Sequence, residues 1–210
     1  MKKDYIMLGN GGHAKVCRDV LAKSGFKEIG YVLGKGSSLG YPGSHSNFLG
    51  TDEWLLEQPA NELLLVNGIG SEPDSVIRSI VFDKYCLVGF KFATLIHPSA
   101  YLADDVILGE GAQIMAGAII QPNCIIKSNV IINTRASIDH DCVVGKHVHI
   151  APGAVLCGGV VIGEATFVGA QACIIPAISV GSHALVGAGL TVRSDVKNAT
   201  RFVSNLNKGV

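Results

Sequence analysis

The chain has 210 residues, 17 Lys+Arg against 17 Asp+Glu, a formal net charge of +0 and a mean hydropathy of +0.38. That balance leaves no basic field for nucleic acid or an anionic membrane surface. No apolar run approaches the roughly 18–20 residues of a membrane span, so the apolar content implies extensive burial. The opening Met1-Lys2-Lys3-Asp4 does not read as a signal peptide, and six cysteines without a C-x-x-C pair fit reduced thiols; a cytoplasmic protein is expected.

Tyr5-Ile6-Met7-Leu8 reads as a short buried strand running into Gly9-Asn10-Gly11-Gly12-His13-Ala14-Lys15. A helix pattern, Val16 to Leu21, and a second strand, Ile29 to Leu33, follow. This order predicts a Rossmann-like α/β domain over residues 1–95, with an anionic phosphate at the helix N-terminus. Gly9-Asn10-Gly11-Gly12-His13-Ala14 matches G-x-G-x-x-G imperfectly, with alanine at its last position, and Leu33-Gly34 stands where a dinucleotide fold offers an acid to the ribose, which disfavours NAD. Stretches 34–38 and 40–44, rich in Gly and Ser, predict a loop. Leu63 to Val66 predicts a strand entering the turn Asn67-Gly68-Ile69-Gly70-Ser71, and Asp74 to Phe82 a helix with Val76, Ile77 and Ile80 as its core stripe. Pro98 marks the boundary, because it cannot extend a helix.

From Ile96 to Val192 an aliphatic residue falls on every sixth position without a miss. From Ile96 to Ile162, four residues after each comes a small or β-branched one, such as Ala112, Ala118, Cys124, Ala136, Cys142 and Ala154. Neither the 3.6 period of a helix nor simple alternation explains this. It suits a narrow prism of short parallel strands with two inward positions per hexad. Glycine often follows the aliphatic, as at Gly109, Gly145, Gly163 and Gly181, and with asparagine is expected at corners needing positive φ.

Polar residues concentrate in one place: Asp139, His140, Asp141, His147 and His149 fall within eleven residues. Ile138 and Cys142 take the inward positions, so His140 lies at an outward corner; His149, beside inward Ile150, is also expected to face out. Removing a proton from an amine or hydroxyl nucleophile needs a base of near-neutral pKa, and a neighbouring carboxylate orients such an imidazole. His140 with Asp141 fits that requirement. His147 and His149 alternate along the chain, which leaves a metal site conceivable.

The repeat resembles that of the hexapeptide-repeat acyltransferases. The string Asn133-Thr134 through His140-Asp141-Cys142 and His149-Ile150-Ala151-Pro152-Gly153, with the Gly-Gly-His turn, is similar to the NeuD-like sugar O-/N-acetyltransferases, including nucleotide-amino-sugar N-acetyltransferases of the bacillosamine and perosamine type. The resemblance implies a left-handed parallel β-helix over 96–193, about five coils each advancing one strand spacing of ~4.8 Å, and a tail over 194–210. It implies acetyl-CoA as co-substrate, a nucleotide-linked sugar as acceptor, and a homotrimer with sites between subunits. By the same resemblance His140 is the general base and Asp141 its acidic partner. Gly11, Gly12, His13 and Asn133 touch the sugar nucleotide, and His149, Gly158, Ala170 and Ala188 the coenzyme. No metal is implied: the His-x-x-x-x-His pair of the gamma-class carbonic anhydrases, which share the β-helix, is absent.

The expected reaction is direct attack of a nucleotide-linked amino sugar's amine on acetyl-CoA, with a role in glycan biosynthesis. O-acetylation of sialic acid or another surface-glycan sugar, and a non-catalytic sugar-nucleotide scaffold, are the alternatives. The Gly-x-Pro-Ala ending common in relatives is replaced by Val196-Lys197-Asn198-Ala199-Thr200-Arg201-Phe202, so coenzyme contacts from the tail do not carry over.

Overall fold

The computed structural model describes residues 4–34 and 47–204. The expected Gly- and Ser-rich loop lies almost wholly outside the described residues. The chain divides into two compact units, Met1–Pro98 and Ser99–Val210.

The first unit is a parallel sheet of β1 (Asp4–Leu8), β2 (Glu28–Leu33), β3 (Phe48–Thr51), β4 (Leu63–Asn67) and β5 (Lys91–Phe92), in the order β3-β2-β1-β4-β5. Helix α1 (Gly12–Lys23) buries Ala14, Cys17, Val20 and Leu21, the one-sided spacing of an amphipathic helix. It ends before Gly25, whose φ of +79° suits a glycine stop. Helix α2 (Asp52–Leu56) follows β3, and α3 (Ile77–Leu87) precedes β5.

Helix α3 departs from expectation. It starts later than Asp74, and Val76, Ile77 and Ile80 are 57%, 59% and 59% exposed. The buried face is Arg78, Phe82 and Tyr85 instead. Phe82 stacks on Phe92 of β5 with ring centroids 4.4 Å apart, and Tyr85 meets Phe90 edge-on. The Arg78 guanidinium donates to the carbonyls of Asn67 and Ile69 at 2.9 and 2.7 Å. Aromatic area and these backbone acceptors outweigh the aliphatic stripe.

The second unit is a parallel β-solenoid of two-residue strands, which up to Val192 pair with the strand 18 residues on. Three hexads therefore make one coil and three sheets make its faces. The first face runs from Tyr101–Leu102 through Ser137–Ile138 to Thr191–Val192. The second runs from Ile107–Leu108 through Val143–Val144 to Ser179–Val180. The third carries Gln113–Ile114, His149–Ile150 and Leu185–Val186, and Arg201–Phe202 pairs onto its end. Val196 also bridges to Val180, so pairing continues past residue 193.

From Ile114 to Val192 each aliphatic of the six-residue series is no more than 2% exposed, stacked with Ala112, Cys124, Cys142 and their equivalents into one core. Leu102 and Leu108, near the open end, are only partly buried, and Ile96, which heads the series, is 41% exposed.

The corners differ from expectation in their chemistry. Gly109, Gly145, Gly163 and Gly181 do not have positive φ. A Cβ there would lie 2.4–2.7 Å from backbone of the next coil, so glycine is required by close coil approach. The left-handed residue falls two positions later: the expected glycine or asparagine at Gly111, Gly117, Asn123, Asn129, Gly153, Gly159 and Gly189, but also Arg135, Asp141, His147, Ala165, Gln171, Ala177 and His183.

Candidate active site

On the edge where the first face turns into the second, Ser137–Ile138 ends and Asp139-His140-Asp141 crosses to Val143–Val144. The left-handed backbone of Asp141 (φ 60°) turns its carboxylate back toward the preceding residue. Asp141 Oδ2 lies 2.7 Å from His140 Nδ1, and the Asp139 side chain accepts from the His140 backbone N–H at 2.9 Å. Both side chains of the pair are more than half exposed.

The hydrogen bond to Asp141, then the charge of Asp139, raises the His140 pKa above its ordinary 6.5. Bonds from Asn123 and from His140 hold Asp141 below the ordinary carboxylate value of 3.8. An ionised carboxylate only accepts, so the imidazole proton sits on Nδ1 and the lone pair on Nε2. Gly158, one coil on, underlies the ring: a Cβ there would lie 2.7 Å from His140 Cε1 and Nε2.

A second group occupies the edge between the third and first faces. Asn133 Nδ2 lies 3.0 Å from His149 Nε2, while its Oδ1 accepts from the Thr134 backbone N–H at 2.8 Å. That second bond fixes the amide orientation, so Asn133 donates and the His149 proton is on Nδ1. His149 sits edge-on against Phe167 with centroids 4.8 Å apart. It has the outward phase expected of it, yet is only 8% exposed, because Asn133 and Phe167 cover it along the face. Ala170 and Ala188 follow on this same edge. The structure thus joins His140, Asp141 and Gly158 on one edge, and Asn133, His149, Ala170 and Ala188 on another.

His147 lies at the third edge, its Nδ1 2.9 Å from Asn129 Nδ2. Among the described residues no group of three or more His, Cys, Asp or Glu gathers as a metal site. No helix among them is long and apolar enough to cross a membrane.

In the first unit, Gly11 and Gly12 are exposed with nothing within 4 Å of a Cβ on either, at the uncapped start of α1. Gly68 packs so tightly that a Cβ would meet Met7 Sδ at 2.6 Å and Ala14 Cβ at 2.8 Å, which draws the turn after β4 against β1 and α1. His13 stands beside Gly70. A cavity of about 230 Å³ opens at the carboxyl ends of β1 and β2, lined by Leu8, Gly9, Val32, Asp52, Ile69 and Tyr85 among others. Asp52 and Tyr85, joined by a 2.7 Å hydrogen bond, went unnoticed in the sequence because no motif marks them. Asn123 went unnoticed too, although a period of 18 stacks it directly against Asp141.

A three-sided solenoid of hexads with an exposed His–Asp pair on one edge is the architecture that the comparisons with known proteins match. Residues 123–158 match the family described as bacterial transferase hexapeptide (six repeats). The fold is similar to the acetyltransferase domain of PglB from Neisseria gonorrhoeae FA1090, at 31% identity and TM-score 0.84, covering 95% of this chain and 96% of that one. That domain is also known with acetyl coenzyme A. It is similar as well to PerB from Caulobacter crescentus, solved with CoA and GDP-perosamine, at 35% identity and TM-score 0.82 over 94% of this chain and 92% of that one. A UDP-N-acetylbacillosamine N-acetyltransferase of Bacillus subtilis (strain 168) is 33% identical over 123 residues, and the match spans about half of each, 54% of this chain and 52% of the relative. The chain belongs to this family of hexapeptide-repeat sugar acetyltransferases.

Proposed function

We propose that the protein transfers acetyl from acetyl-CoA to the amine of a nucleotide-linked amino sugar. The observation that carries this reading is the exposed His140–Asp141 pair, with Nε2 left as a base and the ring seated on Gly158. His140 Nε2 takes a proton as the amine nitrogen attacks the thioester carbonyl. The tetrahedral adduct, its oxyanion met by backbone N–H groups, collapses with loss of the CoA thiolate, which takes up a proton. Asp141 holds the imidazole and stabilises its charged form. No acyl-enzyme is formed.

The solenoid is read as left-handed and residues 1–95, within the first unit, as a Rossmann-like domain for the nucleotide. Its parallel order places the switch point beside β1, and the cavity opens at the carboxyl ends of the strands. Gly11, Gly12 and His13 are assigned to the sugar nucleotide, with the α1 N-terminus facing its phosphates. Asn133 is assigned to the acceptor, and His149, Gly158, Ala170 and Ala188 to acetyl-CoA, all within the catalytic unit 96–193.

The assembly is read as a homotrimer acting in the cytoplasm. His140 and the Asn133–His149 pair stand on different edges, flanking the first face, and on this reading a neighbouring copy brings the second group to the first. The outer side chains of the first and second faces support such a contact: Tyr101, Ile119, Ile107 and Val161 are 55%, 39%, 60% and 42% exposed.

The test is thiol release from acetyl-CoA over UDP-, GDP- and CMP-linked sugars, each as amine and hydroxyl analogue. Release with an amino sugar alone is expected, and His140→Ala should lower kcat about 10²–10⁴-fold. No release with any acceptor, or full activity in His140→Ala, overturns the catalytic reading. Release with the hydroxyl analogue instead makes it an O-acetyltransferase.

A further inference from the structure

The geometry points to Asn123 as a positioning residue that holds Asp141, and through it the catalytic imidazole. Residues 105, 123 and 141 follow one another at intervals of 18 and so stack along one edge. The Asn123 backbone N–H donates to Asp105 Oδ2 at 3.0 Å. Its side-chain amide donates to Asp141 Oδ1 at 2.5 Å, and Asp141 Oδ2 faces His140 Nδ1 at 2.7 Å. The carboxylate is therefore held by both oxygens, which fixes its plane and with it the direction of His140 Nε2. An exposed carboxylate with one partner would rotate freely. This inference rests on His140 being the base.

A purely local explanation is that Asn123 is present because asparagine tolerates its left-handed backbone, φ 60°. The same edge argues against it. Ala177, three coils further along, holds φ 60° with no amide at all. The corner alone does not demand asparagine; the bond to Asp141 does.

The amide also divides the charge on Asp141. Without it the carboxylate pulls more strongly on the Nδ1 proton, and the imidazole becomes harder to deprotonate. Titratable neighbours on the same edge are Asp105, Asp139 and Cys124; Asp139 and Cys124 favour the charged imidazole, and Asn123 acts in the opposite direction through Asp141.

The experiment measures kcat, KM for acetyl-CoA and the pH profile of kcat/KM in Asn123→Ala and Asn123→Gly. Glycine removes the backbone cost, and thermal melting of both variants confirms folding. The expected result is a kcat about tenfold lower, the worth of one hydrogen bond to a charged group, with KM unchanged and the acid limb moved to higher pH. In an Asp141→Asn background the Asn123 change should cost little more, since the two act as one unit. Wild-type kcat with an unmoved acid limb overturns the inference, as does full additivity with Asp141→Asn. If His140→Ala is inactive while Asn123→Ala behaves as wild type, this inference fails and the base assignment stands. If His140→Ala is fully active, the base assignment itself fails.

Discussion

Two edges of the solenoid carry the same device, an asparagine in the left-handed corner position stacked under a polar residue one coil on. On the edge between the second and third faces, Asn129 donates to His147 Nδ1, and both residues are buried. On the edge between the first and second faces, Asn123 donates to Asp141, which passes its other oxygen to the exposed His140. The consequence for the imidazole is opposite. An amide donor on Nδ1 puts the His147 proton on Nε2, whereas a carboxylate acceptor puts the His140 proton on Nδ1. Only the second arrangement presents a lone pair outward. The repeat thus builds polar ladders on more than one edge, and a carboxylate rung with solvent access separates a base from a structural histidine.

The comparison breaks hardest at Gly158. Its φ is ordinary, so alanine fits the backbone, yet the new methyl would occupy the place of the imidazole. Displacing a reacting group by about 1 Å costs roughly 10²-fold, so Gly158→Ala should lower kcat by that order, beside any rise in the KM for acetyl-CoA. Steady-state kinetics check it: a raised KM at unchanged kcat would mean that Gly158 serves the coenzyme alone and does not seat the base.

Asp141→Asn is expected to be milder. The amide keeps the shape but not the charge, and kcat/KM should fall about tenfold, the scale of one charge-assisted hydrogen bond. The sign of the pH effect is fixed. His140 acts as a neutral base, so activity falls as pH drops through its raised pKa; loss of the carboxylate lowers that pKa and moves the acid limb to lower pH. Asn123→Ala moves it the other way. Equal shifts in one direction would contradict the ladder.

How much of this was legible depends on how local each constraint is. The inward series from Ile114 to Val192 and the outward place of His140 followed from the period of six, because every hexad meets its own copy one coil away. The purpose of Gly109, Gly145, Gly163 and Gly181 was misjudged, since a close backbone approach and a positive φ both call for glycine and only coordinates tell them apart. His149 has the outward phase it was assigned, but Asn133 and Phe167 cover it, and period alone says nothing about neighbouring side-chain size. Helix α3 forms where the pattern expects it, but with a different buried face. Its aliphatic stripe and its Arg78–Phe82–Tyr85 face are both helical in spacing, and the choice lay with Phe92, Asn67 and Ile69, which no local pattern reveals.

The smallest effect on catalysis should come from the structural edge. In His147→Ala the Asn129 amide loses a buried partner, which costs about 1–3 kcal/mol of stability. The corner itself survives, because Ala165, next along that edge, already holds alanine at φ 54°. His147 stands on a different edge from His140, so kcat and the acid limb should match wild type while the thermal midpoint falls. Melting curves beside a pH–rate profile make the contrast direct. A kinetic defect at wild-type stability would mean that the buried ladder feeds the site, and that exposure does not separate the two edges.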